Sequence, residues 1–163
     1  MRRIISVLLE NEAGALSRVV GLFAQRNFNI ETLNVAPTDD MTMSRMTITT
    51  TGDGRTVEQI TKQLEKLIEV IGVVDLSEHD FVERELMLVK LRAEGAAREE
   101  IMRMSDIFRA QIVDVSATSY TVQVAGPSEK LDAFIGAMSK LSVLEVVRSG
   151  VSGIARGERV LKV

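Results

Sequence analysis

Cysteine is absent from the 163 residues, which excludes disulfides, thiolate metal centres and cysteine nucleophiles. Tryptophan is absent too. Five Phe and one Tyr leave few rings for the stacking platforms that grip single-stranded nucleic acid or sugars. Neither sign of charge dominates: 20 Lys and Arg against 23 Asp and Glu give a net charge of −3, no footprint for a broad DNA-binding surface. No apolar run approaches the roughly 20 residues of a membrane span. The opening turns from basic to apolar, but it stops at Glu10-Asn11-Glu12 without the small-residue cleavage pattern of a signal peptide. These absences predict a soluble, cytoplasmic protein. With 45% hydrophobic and 26% charged residues, a chain of this length can bury roughly 70% of its unfolded surface and needs no metal or disulfide staple.

What is present alternates between two periods. Residues 3–9 form an apolar, β-branched run suited to a buried central strand. Leu16, Val19, Val20 and Phe23 then recur at helical spacing over 15–26, and Asn27 suits the left-handed residue that ends a helix. Residues 29–36 read as a strand, residues 37–40 as a turn, and residues 44–51 as a second strand in which Met46 and Ile48 alternate with Arg45, Thr47 and Thr49. From Val57 the positions Ile60, Leu64, Leu67, Ile68 and Ile71 predict another helix, followed by a short strand over 72–76.

The second half repeats this order. Strands are predicted over 85–93, 110–115, 119–126 and 143–147. Helices are predicted over 97–108, on Ile101, Met104, Ile107 and Phe108, and from Pro127, on Leu131, Phe134, Ile135, Met138 and Leu141. Phe23 with Phe108 and Ile30 with Ile112 are the expected landmarks of a duplication with a period of about 80 residues. The polar stretch Ser77-Glu78-His79-Asp80 is the expected joint, giving domains over 1–77 and 78–163. A βαββαβ order with short connections is the split βαβ, ferredoxin-like plan, in which two helices cover one face of a four-stranded antiparallel sheet. The fold class is therefore α+β, two ferredoxin-like βαββαβ domains in tandem. The face without helices is left open, and an apolar open face calls for a second chain or the other half to cover it.

Catalytic constellations are missing. His79 stands in the joint with no nucleophile beside it, and the pairs Glu10/Glu12, Asp39/Asp40 and Glu99/Glu100 fall at turns or helix starts, where acids have structural work. Gly150-Val151-Ser152-Gly153 lacks the lysine and following helix of a phosphate loop and reads as a C-terminal turn. Met41, Met43 and Met46 suit turn and core packing as well as an adaptable surface. The segment Asn11-Glu12-Ala13-Gly14-Ala15-Leu16 is different. It joins a buried strand to a helix and aims free backbone N–H groups outward, where an anion gains from the helix's positive end and Gly14 admits close approach. The alternative is a tight turn with an Asn cap. Asn29, whose amide both donates and accepts, is expected at the same end of the sheet, reaching this loop from a dimer mate.

The words Leu9-Glu10-Asn11-Glu12-Ala13-Gly14-Ala15-Leu16-Ser17-Arg18, Asn29-Ile30-Glu31-Thr32-Leu33-Asn34-Val35-Ala36-Pro37-Thr38 and Ile107-Phe108-Arg109-Ala110-Gln111-Ile112-Val113-Asp114-Val115 carry a resemblance. Over essentially its whole length the chain resembles the acetolactate synthase (acetohydroxyacid synthase) small-subunit family, with residues 1–77 similar to its ACT domain. The resemblance implies a non-catalytic subunit that binds a separate catalytic large subunit, activates it, and confers feedback inhibition by valine or another branched-chain amino acid. It implies no cofactor in this chain; thiamine diphosphate, magnesium and FAD would belong to the catalytic partner. It also implies a homodimer through the ACT domain, with an effector site formed by Asn11, Ala13, Gly14, Ala15 and Leu16 of one copy and Asn29 and Ile30 of the other. Two departures stand out. Asn27 replaces the glycine common before the aromatic-Asn-Ile sequence, and the second half has Glu94-Gly95-Ala96-Ala97-Arg98 in place of the glycine loop. An effector site is therefore not expected there, and contact with the catalytic subunit is.

Overall fold

The computed structural model describes residues 1–162. In chain order the elements are β1 (Arg2–Glu10), α1 (Ala15–Gln25), β2 (Thr32–Pro37), β3 (Met43–Thr51), α2 (Gly54–Glu65), β4 (Val70–Asp75), a 3-10 turn (Leu76–Glu78), β5 (Phe81–Arg92), α3 (Ala96–Ile107), β6 (Gln111–Val115), β7 (Ser119–Gly126), α4 (Ser128–Ala137), β8 (Val143–Arg148) and β9 (Ser152–Ala155). The first sheet runs β2-β3-β1-β4 and the second β6-β7-β5-β8, both antiparallel throughout. The βαββαβ plan thus occurs twice, as the sequence indicates.

In the first unit, Ile5, Val7 and Leu9 of β1 and Met46 and Ile48 of β3 face the helices, where Val19, Phe23, Val57, Ile60 and Leu64 close the core. Each fully buried side chain of this size contributes about 1.5–3 kcal/mol of transfer free energy, so this apolar seam fixes the register. In the second unit, Met87, Val89, Leu91, Val122 and Val124 do the same against Ile101, Leu131, Phe134 and Met138. The duplication extends to irregularities. At the constant spacing that carries Asn27 to Arg109, a register shift between Leu8 and Leu9 recurs between Lys90 and Leu91, and the helix C-caps Arg26 and Phe108 correspond. Among the described residues Asn27 and Arg109 are the non-glycine residues with positive φ, at 56° and 53°. The landmark Ile30 with Ile112 fits this spacing. Phe23 with Phe108 does not: Phe23 corresponds to the buried Ser105, while Phe108 moves to the helix end and meets Phe134 edge-on.

Several boundaries differ from the sequence reading, for physical reasons. The apolar series after Val57 outlasts its helix. α2 stops at Glu65, Ile68 is 89% exposed in the turn, and Ile71 already belongs to β4. Ile107 is exposed because α3 ends there. β2 begins at Thr32 rather than Asn29, since residues 28–31 turn the chain away from α1. The division of the chain also differs. One unit is Met1–Val82 together with the segment from Val151, and the other is Glu83–Gly150. Gly150-Val151-Ser152-Gly153 is thus no terminal turn but leads into β9, which pairs β5, and Val151 packs with Ile4 and Leu76. This returning segment covers part of the sheet face without helices. That explains why β1 is buried without a break from Ile4 to Leu9, whereas β5 alternates. The joint is ordered: Asp75 Oδ1 accepts from Ser77 N at 3.0 Å, and Ser77 Oγ accepts from Ile4 N at 2.8 Å.

Two polar devices hold the elements at their ends. Buried Glu85 accepts from Arg148 Nη2 at 2.6 Å, Arg148 Nε at 3.2 Å and Gly150 N at 3.0 Å. Its hydrogen bonds hold the Arg148 guanidinium above its ordinary pKa, with Asp132 adding to the effect. Asp53 caps α2 by accepting from Thr56 N at 2.8 Å, and that bond lowers its carboxyl pKa. Glu85→Ala is expected to cost about 3 kcal/mol in chemical denaturation, because the Gly150 amide is orphaned and the guanidinium loses its buried partner. Glu145→Ala, which removes only an exposed partner at 3.9 Å from Lys90, changes stability by about 0.5 kcal/mol or less. A depressed carboxylate pKa stabilises above the unfolded value and ceases to do so as the pH falls through the folded one. Asp53→Ala is therefore expected to lower the Tm at neutral pH, with the gap from the unsubstituted protein narrowing in acid; a gap independent of pH contradicts the assignment.

Candidate functional site

The loop between β1 and α1 is shaped by its own backbone. Asn11 N donates to Thr42 O at 2.8 Å and Asn11 Nδ2 to Met41 O at 2.9 Å, tying the loop to the β2–β3 connection. Asn11 is therefore not a helix cap. The N-cap is Gly14, in the left-handed region at φ 87°, and no side chain caps the helix. Ala15 N donates to Glu12 O at 3.3 Å and Arg18 N to Gly14 O at 3.0 Å, while the amides of Ala13, Gly14, Leu16 and Ser17 have no acceptor among the described residues. Ala15 is buried and anchors the turn, and Leu16 is 39% exposed at its rim.

The first turn of α1 contains no acid. The other helices differ: α2 has the Asp53 cap, and α3 and α4 carry Glu99 and Glu129 in their first turns. α1 is therefore the helix whose first turn has neither an acid nor a side-chain cap. Arg18, absent from the sequence reading of the site, adds to it. A Cβ built on Gly14 would lie 3.2 Å from Arg18 Nη1, and the guanidinium is held there by the buried Glu69. The available signal was spacing, since Arg18 stands one helical turn after Gly14. At the head of α3 no guanidinium stands beside the glycine, since a Cβ on Gly95 would meet nothing within 4 Å. Arg98 lies over Tyr120 at 4.8 Å and donates to Tyr120 Oη and Ala117 O, both at 3.0 Å.

Asn29 is exposed, and its carbonyl accepts from Thr50 Oγ1 at 2.6 Å; Ile30 packs against the first core. The structure does not bring them to the loop within one chain, and the expectation that they share an end of the sheet is corrected. β1 and β2 both pair antiparallel with β3 and so run parallel to each other; Asn29 precedes β2, beside the start of β1, whereas the loop follows its end. The 11-residue α1 separates them by roughly 16 Å, too far for one amino acid to touch both. β2 is one of the two edge strands of its sheet, β4 being the other.

The remaining candidates have structural settings. Asp40 Oδ1 accepts from Thr42 Oγ1 and Thr42 N, which lowers its pKa, and Glu100 pairs with Arg103. His79 Nε2 stands 3.4 Å from Arg159 Nη1. Met46 is in the core and Met41 is exposed. Among the described residues no group of three or more His, Asp or Glu is placed to hold a metal ion, and no helix is long and apolar enough to cross a membrane.

Two ferredoxin-like units, the first opening on an uncapped, glycine-led helix, have the plan of the ACT class, and residues 5–72 match the AHAS small subunit-like ACT domain. Residues 84–157 match the small subunit of acetolactate synthase. The chain is 61% identical over 160 residues to the acetolactate synthase small subunit of Haemophilus influenzae, covering 98% of each. It is 57% identical over 163 residues to the acetolactate synthase isozyme 3 small subunit of Escherichia coli, covering 99% of this chain and 100% of the relative. The crystal structure of the acetolactate synthase small subunit from Thermotoga maritima superposes with a TM-score of 0.89 at 35% identity, covering 98% of this chain and 99% of that one. The chain belongs to the acetolactate synthase small-subunit family, whose role is regulatory and non-catalytic.

Proposed function

We propose that this chain activates a thiamine-diphosphate-dependent catalytic large subunit of acetolactate synthase in the cytoplasm and makes it sensitive to feedback inhibition by valine. The observation that carries this reading is the α1 N-terminus, where unpaired amides, a glycine without a Cβ and the Arg18 guanidinium converge with no acid in the turn. The effector carboxylate accepts from the amides of Ala13, Gly14 and Leu16. The Asn11 tether and buried Ala15 keep the turn in shape. The ammonium needs acceptors from elsewhere, and a two-fold axis supplies them. Pairing the β2 edges of two copies antiparallel carries the start of one β2 towards the end of the other, and with it Asn29 and Ile30 to the loop of the mate. The sheet polarity that separates these residues in one chain is what joins them in a dimer. An apolar slot at Leu16 and Ile30 takes the isopropyl group. One methylene there is worth about 1–3 kcal/mol, so leucine and isoleucine compete at higher concentration. Inhibition follows only if valine binds the inhibited arrangement of subunits more tightly than the active one.

In this reading the unit Glu83–Gly150 makes the contact with the catalytic subunit, since the head of its α3 has Glu99 in its first turn and no guanidinium beside its glycine. Thiamine diphosphate, its magnesium ion and FAD reside in the large subunit.

Gly14→Asp forces a side chain into a left-handed position and places a carboxylate beside Arg18, where the effector carboxylate would sit. Holoenzyme reconstituted with Gly14→Asp is expected to keep its activation and to need at least about tenfold more valine for half-inhibition; unchanged inhibition refutes the site. Asn29→Ala is expected to weaken valine binding in calorimetry while leaving the chain dimeric. Wild-type affinity in that variant removes Asn29 from the account.

A further inference from the structure

The first sheet has a second face, opposite α1 and α2, and it holds a cation with too few partners. Arg45 of β3 is half-buried there. The polar contact found for it is Nη2 donating to Gly153 O at 3.0 Å, and no carboxylate of the described residues lies within ion-pair distance. A guanidinium carries five N–H donors and keeps its charge. Burial alone pushes its pKa below the ordinary value. Arg3 and Arg148, also partly buried, have Asp75 and Glu85 as counter-ions.

A cavity of about 1020 Å³ opens beside Arg45, between the sheet and the C-terminal segment. Its aliphatic walls include Leu8, Val74 and Leu161, and Asn34 and Thr47 add polar groups. Arg159 and Lys162 line it against Asp39 and Asp40, so with Arg45 the cations outnumber the acids. Asp40 is committed to Thr42. Ser6 pairs with Thr47 and Val74, which both line the cavity; its Oγ is fully buried and has no hydrogen-bond partner. A desolvated cation and an orphan hydroxyl on one sheet face are both costly unless a partner arrives.

We propose that this cavity is a second ligand site, which takes a small aliphatic monocarboxylate, its carboxylate forked on the Arg45 guanidinium and its hydrocarbon body against Leu8, Val74 and Leu161. The planar fork suits a carboxylate through two parallel N–H···O bonds. None of residues 11–18 lines this cavity, although the β2–β3 connection that borders it also holds Asn11.

The test titrates the full chain with 3-methylbutanoate, a carboxylate without an amino group, by calorimetry and by amide chemical-shift mapping. Saturable binding is expected to the unsubstituted protein and to Gly14→Asp, with shifts at Thr47 and Gly153, and at least about tenfold weaker binding to Arg45→Gln. Arg45→Gln should melt no lower than the unsubstituted protein, because it removes a half-buried charge that has no ion pair among the described residues. Absence of saturable binding, equal affinity in Arg45→Gln, or shifts confined to residues 13–17 overturns the proposal. If Arg45→Gln does not fold, the shift map on the unsubstituted chain decides between the same outcomes. Failure here leaves valine inhibition untouched, and loss of valine inhibition in Gly14→Asp leaves this site untouched.

Discussion

The positive end of α1, held open by a left-handed glycine, is the constraint on which the rest of the regulatory account depends. An ordinary helix start recruits a Ser, Asp or Asn cap, or an acid in its first turn, and so satisfies itself. Here Gly14 ends the approach from β1 without a side chain, and Asn11, the residue suited to cap, is spent on the β2–β3 connection. The cost of unpaired amides is tolerated at the surface, where water solvates them until an anion replaces it. Arg18, its charge offset by buried Glu69, adds guanidinium N–H donors at the same point. In the proposed function a ligand carboxylate is received by this turn, and a ligand that also bears an ammonium group needs a second surface.

The duplicated fold shows how the same scaffold can carry different duties. Register shifts, C-caps and left-handed residues repeat at one spacing, so both sheets are built alike. The differences lie at the helix heads and on the sheet faces. At α3 the side chain of Arg98 turns inward onto Tyr120 and two carbonyls, and Glu99 meets the helix end. β1 is covered on both faces, whereas β5 alternates buried and exposed residues along its second half. Fold alone therefore assigns no function to either unit; side chains at a few positions do.

Much of this was legible in the sequence because it depends on local periodicity. The unbroken apolar run of β1, the alternation in β3 and the left-handed Asn27 each have one dominant physical cause, and the structure follows it. The loop from Asn11 to Leu16 could be located because a strand-to-helix turn with glycine has a defined backbone. What escaped depends on distant partners. Ile68 and Ile107 continue an apolar period past the point where their helices end, so pattern and packing part company there. Arg18 became a site residue only when Glu69 fixed its direction. The segment from Val151 packs against Ile4 and Leu76, far away in the chain, and nothing in its own composition announces that it closes a sheet face. The position of Asn29 followed from strand polarity, which composition does not encode.

The central claim is that an amino-acid carboxylate rests on the first turn of α1 while a second copy of the chain completes the pocket. It is tested most directly by a crystal structure of the protein grown with valine. The account predicts a dimer joined through β2, with the valine carboxylate on the amides of Ala13 to Leu16 and Asn29 of the other copy at its ammonium group. Valine bound elsewhere, or an empty loop in a protein whose holoenzyme valine still inhibits, contradicts it.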